Sequence, residues 1–291
     1  MAESALNNFS PVIAGTMSYG KGGKNLAEEE VAGLIKKTVS SGITTFDMAD
    51  IYGDYTTEAL FGKGFRKSGI SRESVQFITK CGIKAPQQTR PEYKVKHYDT
   101  SFSHIIWSVE NSLKQLQTNY IDLLLIHRPD PLMHPEELAE AFTRLQREGK
   151  VKHFGVSNFT PTQFTMVNDS FPLATNQVEA SLSMREPFLD GTFDVCLDHG
   201  IRPMAWSPLG KGLLTGDSAL NGLLQETALN HKATPAQILI AWLLKHPTGI
   251  FPVMGTTQHK RLEDAFHAQQ IKLSRQEWFA LWEAAEGKQV P

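Results

Sequence analysis

Short runs of apolar and β-branched residues alternate along the chain with longer stretches whose apolar residues recur at helical spacing. Eight of the short runs have the length and the polar boundaries of buried strands. They lie at 11–17, 44–49, 74–80, 120–127, 152–157, 172–177, 201–206 and 249–255. Between them, stretches such as 26–42 and 103–117 carry their apolar residues on one helical face. The alternation predicts parallel strands joined by crossover helices.

The spacing of the predicted strands favours a closed barrel. Successive strands begin 20 to 48 residues apart, and most of these steps fit one strand and one helix. The two longest steps hold a polar excursion at 83–99 and room for two further helices, and another helix is predicted at 274–286. We therefore expect a (β/α)8 TIM barrel of the α/β class, with extra helices and no Rossmann domain, over 1–291 as a single domain. A doubly wound open sheet is the alternative.

Composition excludes several classes of protein. The chain has 291 residues, 41% of them hydrophobic, and a net charge of −2, so a broad basic face for nucleic acid is not expected. Two cysteines cannot form a disulfide scaffold. No apolar run approaches the roughly 20 residues of a membrane span, and the N-terminus does not look like a secretory signal. The histidines and cysteines lack metal-ligand spacing. We expect a cytoplasmic protein that binds no metal and no membrane. A monomer is expected, and a homo-oligomer is the alternative.

Titratable side chains lie at the ends of three consecutive predicted strands. The second strand ends in Asp47 and runs into Tyr52, the third ends in Lys80 and the fourth in His127. Barrel enzymes carry their chemistry at these strand ends. A lysine about 4 Å from a tyrosine hydroxyl contributes roughly 4 kcal/mol at an effective dielectric near 20, about three pKa units. We expect Lys80 to lower the pKa of Tyr52, Asp47 to hold Lys80, and His127 to bond a substrate oxygen. The set predicts protonation of a carbonyl oxygen as it becomes an alcohol.

Other interpretations of these residues remain open. Each one alone could be a structural barrel residue, and Lys80 could instead form a Schiff base in a cofactor-free lyase. Arg128 could bind an anionic substrate group, or pair with Asp130 or Asp50. The segment 83–99 could be a solvated loop or a lid over the barrel mouth.

Seven segments, each at a predicted strand end, resemble the aldo-keto reductase superfamily. They are FDMADIYG (46–53), ITKCG (78–82), LLLIHRPDP (123–131), HFGVSNF (153–159), NQVE (176–179), WSPLGKG (206–212) and GTTQHKRLEDA (255–265). The resemblance runs in order from about residue 11 to 268 and is greatest to the bacterial YdhF-like branch. The first three segments hold the family's tetrad of Asp, Tyr, Lys and His. The resemblance implies an oxidoreductase that reduces a small carbonyl substrate, or a cofactor-sensing subunit with little turnover.

The resemblance also implies NADP(H), extended across the barrel mouth. Ser157, Asn158 and Gln177 would bind the carboxamide, and Trp206 would stack on the nicotinamide. The other implied cofactor contacts are Gly15, Thr16, Met17, Ser207, Leu209, Lys211, Gly212, Thr256, Thr257, Arg261 and Asp264. Gly255 stands where many members have a lysine for the 2′-phosphate, but Arg261 suits that phosphate. Tyr19 and Arg128 are the candidate substrate contacts. Met17 and Arg128 replace tryptophans of well-known members, so a different substrate pocket is implied.

Overall fold

Eight parallel strands form a closed barrel in the computed structural model, which describes residues 5–210 and 219–290. The strands are β1 (Ile13–Gly15), β2 (Thr45–Asp47), β3 (Gln76–Cys81), β4 (Ile83–Lys84), β5 (His97–Tyr98), β6 (Ile121–Ile126), β7 (Val151–Ser157), β8 (Asn176–Glu179), β9 (Met204–Trp206) and β10 (Phe251–Met254). Strands β4 and β5 pair with each other as a hairpin, and the other eight follow chain order around the barrel until β10 pairs with β1. The predicted (β/α)8 class is confirmed.

Helices follow most of the barrel strands. They are α1 (Glu28–Ser40), α2 (Tyr52–Tyr55), α3 (Thr57–Ser68), α4 (Phe102–Leu116), α5 (Pro135–Arg147), α6 (Pro161–Ser170), α7 (Thr192–Asp198), α8 (Ala219–Asn230), α9 (Pro235–Leu244), α10 (His259–His267) and α11 (Arg275–Glu286). Short 3-10 turns lie at Arg72–Ser74, Glu186–Phe188 and Ala268–Gln270. In the described part of the chain no helix has the length and apolar character needed to cross a membrane.

Local sequence explains where several helices begin. The side chains of the capping residues Thr160, Thr234 and Ser274 each accept a hydrogen bond from the backbone N–H of the third helical residue. The side chain of that third residue in turn accepts a hydrogen bond from the backbone N–H of the capping residue. This reciprocal capping satisfies amide groups that the first helical turn leaves free. The short α2 is different, because Gly53 and Asp54 have left-handed backbone angles with φ of 59° and 60°. The chain therefore turns sharply just after Tyr52.

Side chains that point alternately to the two faces of each strand form an inner core and an outer layer. Leu123 and Leu125 of β6 belong to the same buried cluster as Ile78 of β3, whereas Leu124 and Ile126 belong to a cluster with α4 and α5. Successive strand residues point to opposite faces, so the first group fills the barrel interior and the second lies under the helices.

The same alternation positions the functional lysine. Lys80 lies two residues after Ile78 and points inward, while Cys81 packs in the outer cluster. Leu6 and Phe9, which precede β1, join the inner cluster that contains Ile78. Apolar side chains from the strands and from the N-terminal segment thus fill the interior below Lys80.

Candidate active site

A cavity of about 560 Å³ opens where the barrel strands end. Asp47 ends β2, Tyr52 begins the turn after it, and His127 follows β6, and all three line the cavity. Lys80 lies behind Asp47 and Tyr52 rather than in the cavity wall. The structure therefore brings together the four residues predicted from the strand ends.

The Lys80 ammonium is the most tightly held group of the site. It donates to Asp47 Oδ1 at 2.6 Å, to the Met48 carbonyl oxygen at 2.7 Å and to the Tyr52 hydroxyl at 3.4 Å. Lys80 and Asp47 are 1% and 3% exposed. Burial opposes the charged form, but Asp47 and Tyr52 outweigh it and raise the pKa of Lys80. The second Asp47 oxygen accepts a 2.8 Å bond from Gln177 Nε2, so the carboxylate is bound on both sides.

Lys80 lowers the pKa of Tyr52 as expected, but the net shift of this pKa is upward. Burial raises the pKa of Tyr52, and the opposing charge of Lys80 does not overcome burial together with the negative charge of Asp47. The spacing of charged residues indicates that Lys80 and Asp47 act on Tyr52 in opposite directions, but it does not reveal the burial that dominates the shift. At neutral pH Tyr52 is therefore a protonated phenol, whose hydroxyl has a proton to donate and a fixed cation beside it.

His127 is a neutral imidazole in this environment. Burial lowers its pKa well below the usual value, and the positive charges of Lys80, Arg128 and Lys96 lower it further. Its ring meets that of Tyr52 edge to face, with 5.9 Å between the ring centres. A neutral imidazole has one N–H group to donate, so His127 and Tyr52 can both donate to one oxygen atom in the cavity.

Amide groups and an indole form the adjoining wall. The Ser157 hydroxyl donates to the backbone carbonyl oxygen of Gln177 at 2.8 Å. Asn158 Nδ2 donates to the Ser157 hydroxyl oxygen at 2.7 Å. Asn158 Oδ1 accepts a 3.0 Å bond from Trp206 Nε1. Asn158 and Ser207, the first residues after β7 and β9, have φ of 61° and 52°, an uncommon conformation that recurs at functional sites. This wall presents fixed amide donors and acceptors beside an aromatic ring.

Part of the cavity wall suits a phosphate. Arg261, Thr256 and Gly255 all line the cavity, and a Cβ added to Gly255 would have no heavy atom within 4 Å. A guanidinium beside open space can receive a phosphate through two parallel hydrogen bonds. Amide groups and a guanidinium in one cavity wall fit the carboxamide and the 2′-phosphate of a nicotinamide dinucleotide.

Most residues predicted to contact cofactor or substrate line the cavity. They are Gly15, Met17, Arg128, Ser157, Asn158, Gln177, Trp206, Ser207, Leu209, Thr256 and Arg261. Five further lining residues were not predicted as contacts. Pro208, Gly210 and Gly255 each adjoin a predicted residue, whereas Val253 and Met254 lie in β10 and do not. Lys211 and Gly212 lie outside the described residues.

Four predicted contacts do not line the cavity. Tyr19 is 0% exposed and packs in the core with Phe61, so its predicted contact with substrate is wrong. Thr16 is also buried, and its hydroxyl donates to the Asp47 carbonyl oxygen at 3.1 Å rather than to the cavity. Thr257 and Asp264 are absent from the lining, and the Asp264 carboxylate pairs with Lys260 at 3.0 Å.

Two open questions about neighbouring segments also have answers. Asp130 accepts bonds from the Thr100 hydroxyl and the Leu132 amide, and neither it nor Asp50 pairs with Arg128 among the described residues. The segment 83–99 is the β4–β5 hairpin, and none of its residues lines the cavity. In this conformation the hairpin is therefore not a lid over the cavity.

Comparisons with known sequences agree with this geometry. A family model described as "Aldo/keto reductase family" matches residues 11–286. The chain is 43% identical to the uncharacterized oxidoreductase YcsN of Bacillus subtilis, over 97% of this chain and 96% of that protein. It is 42% identical to oxidoreductase YdhF of Escherichia coli, over 92% and 91%. It is also 42% identical to a 6-dehydroglucose reductase of Agrobacterium fabrum, over 89% of each chain.

Solved structures show the same architecture. The thermostable aldo-keto reductase Tm1743 superposes with a TM-score of 0.82 at 28% identity, over 97% of this chain and 98% of that one. An aldo/keto reductase from Klebsiella pneumoniae, solved in complex with NADP and acetate, superposes with a TM-score of 0.76 at 26% identity, over 94% and 90%.

Proposed function

Because this chain belongs to the aldo/keto reductase family and is an oxidoreductase of carbonyl and alcohol groups, we propose that it is an NADP(H)-dependent carbonyl reductase in which Tyr52 is the general acid. The observation that carries the proposal is the buried Lys80 ammonium, which bonds both Asp47 and the Tyr52 hydroxyl beside the cavity. This arrangement holds a proton donor next to a cation at the place where a carbonyl oxygen would gain negative charge.

The cavity lining supports a nicotinamide dinucleotide as the redox partner. Asn158, Ser157 and Gln177 would hold the carboxamide, Trp206 would cover one face of the ring, and Arg261 would bind the 2′-phosphate. Bound NADPH would supply the hydride that reduces the carbonyl carbon. We propose NADP(H) rather than NAD(H) because Arg261 places a guanidinium in the wall beside the open space at Gly255.

Tyr52 and His127 would act on the substrate oxygen. As this oxygen gains negative charge, the Tyr52 hydroxyl would transfer its proton to it and become a phenolate. Lys80, 3.4 Å from that hydroxyl, would stabilise the phenolate, and Asp47 would keep Lys80 charged and in position. The neutral His127 imidazole would donate an N–H to the same oxygen and orient the carbonyl group. In the reverse direction the Tyr52 phenolate would accept a proton from an alcohol.

The bonds of Lys80 disfavour the lyase alternative. A Schiff-base lysine must lose its proton to attack a carbonyl carbon. Lys80 is held as an ammonium by a carboxylate 2.6 Å away and by a backbone carbonyl oxygen 2.7 Å away. Its pKa is raised rather than lowered, which leaves little free amine at neutral pH.

The test is to follow a hydride label. The protein is incubated with NADPH that carries deuterium at C4 of the nicotinamide and with a panel of aldehydes, ketones and keto acids. We expect deuterium on the carbinol carbon of an alcohol product, detected by mass spectrometry. If the protein binds NADPH tightly but transfers no label to any carbonyl of the panel, it is a cofactor-binding subunit and the proposal is wrong.

A further inference from the structure

Arg128 is a cation in the cavity wall without an ion-pair or hydrogen-bond partner in the described part of the chain. It directly follows His127, is half-buried and lines the cavity. Its guanidinium carbon lies 5.8 Å from the centre of the Trp206 ring, where the nicotinamide is proposed to stack. Its charge contributes to lowering the pKa of His127 and acts on the Tyr52 hydroxyl in the same direction. The guanidinium therefore lies near the atoms that would bind the carbonyl oxygen.

The described wall supplies no anion to neutralise this charge. Among the described residues of the lining Asp47 is the only acidic one, and its two oxygens are bound by Lys80 and Gln177. The nearest acid along the chain, Asp130, is bound by Thr100 and by a backbone amide. A cation in a cleft is stable in water but loses hydration when substrate closes the cleft, unless the substrate brings acceptor oxygens.

Much of the wall of the cavity that Arg128 lines is apolar. Met17, Trp206, Leu209 and Val253 line the cavity and offer a substrate mostly carbon surface. The catalytic hydroxyl and imidazole are committed to the carbonyl oxygen in the proposed reaction. Arg128 is thus the group in the described wall that is free to recognise a second polar group on the substrate.

We propose that Arg128 selects carbonyl compounds that carry an acceptor oxygen close to the carbonyl carbon. The guanidinium fork donates two parallel hydrogen bonds, which match a carboxylate or vicinal hydroxyl oxygens. The substrate class is therefore oxygenated aldehydes and ketones, either hydroxy-substituted or carboxylate-bearing, rather than plain hydrocarbon carbonyls. This inference deepens the proposed carbonyl reductase function and rests on it.

A matched series of two-carbon aldehydes tests the inference. Acetaldehyde, glycolaldehyde and glyoxylate differ only in whether the second carbon is a methyl, a hydroxymethyl or a carboxylate group. We expect Arg128→Met to lower kcat/KM roughly 10- to 100-fold for the oxygenated aldehydes and less than about 2-fold for acetaldehyde. Arg128→Lys should recover part of the loss, because it keeps the charge without the fork. Arg147→Met, which removes an exposed charge on α5, is the control and should change nothing.

The pattern of losses identifies the acceptor. A loss confined to glyoxylate assigns a carboxylate, whereas losses with both oxygenated aldehydes show that a hydroxyl suffices, and both outcomes support the inference. Equal losses with all three aldehydes would show that Arg128 acts through the cofactor or the fold. Unchanged kcat/KM values for all three aldehydes in Arg128→Met would show that Arg128 does not contact the substrate. Either of these results overturns the inference while leaving the reductase function intact.

A binding measurement keeps the inference testable if no aldehyde turns over. Acetamide, glycolamide and oxamate are titrated calorimetrically into wild type and Arg128→Met saturated with NADP⁺. We expect oxamate or glycolamide to bind the wild type more tightly than acetamide does, and Arg128→Met to lose this preference. Preserved binding without turnover would refute the reductase function alone. Equal binding of the three amides to wild type would overturn the inference.

Discussion

The ion pair between Lys80 and Asp47 should contribute to the free energy of unfolding as well as to activity. The two groups lie 2.6 Å apart and are almost completely buried. Lys80→Met removes the cation and leaves the Asp47 carboxylate buried with only the Gln177 bond to its side chain. Breaking one side of a buried pair costs about 3–5 kcal/mol of unfolding free energy, because the remaining charge is desolvated without compensation. The double variant Lys80→Met with Asp47→Asn removes that charge and should recover part of the loss.

The control is a lysine with a similar bond at the surface. Lys152 donates to Asp122 at 2.9 Å but is half-exposed, and Asp122 keeps a 2.6 Å bond from Arg72. Lys152→Met should therefore cost about 0–1 kcal/mol. Unfolding free energies come from urea denaturation followed by circular dichroism. A cost below about 1 kcal/mol for Lys80→Met, or a double variant as unstable as the sum of the single variants, would refute the electrostatic account of this pair.

Three further predictions concern the cofactor end, the imidazole and a buried carboxyl group. Arg261→Ala should weaken NADPH binding much more than NADH binding, and Gly255→Lys, which extends into open space, should strengthen NADPH binding; fluorescence titration checks both. The pKa of His127 is held well below its usual value, first by burial and then by positive charges, so the imidazole stays neutral as the pH falls through 6.5. Measured kcat/KM for reduction should then show no inflection there. Burial raises the pKa of Glu58 from 4.5 to about 7, so folding favours the protonated form. Wild type should lose stability relative to Glu58→Gln by roughly 3 kcal/mol as the pH rises from 4.5 to 7, measured by denaturation at each pH.

The barrel was predictable because buried parallel strands leave apolar runs in the sequence. All eight predicted barrel strands are present, and the family resemblance found in seven segments is confirmed by the family model. Strand limits were less accurate. The run predicted as a strand at 172–177 contains Leu173, which is buried in the layer between strands and helices, but the β8 ladder begins only at Asn176. Burial produces an apolar run whether or not the backbone joins a ladder.

Other features have no local signal in the sequence. The strands of the β4–β5 hairpin are two residues long and half polar, so no alternation marks them. The bond between Gln177 and Asp47 joins residues 130 positions apart. Tyr19 lies four residues beyond the cavity-lining Gly15, yet the turn between them buries its ring in the core. The raised pKa of Tyr52 depends on burial, which the spacing of charged residues does not reveal.

The most direct test of the account is the turnover of Tyr52→Phe, measured beside its NADPH affinity. The variant removes one hydroxyl from the cavity wall and leaves the proposed cofactor contacts in place. The account predicts a fall in kcat for carbonyl reduction of about 10²- to 10⁴-fold with an unchanged dissociation constant for NADPH. Tyr120→Phe, which removes a hydroxyl just before β6 at the opposite end of the barrel, should behave as wild type. Turnover by Tyr52→Phe within a few-fold of wild type would contradict the assignment of Tyr52 as the proton donor.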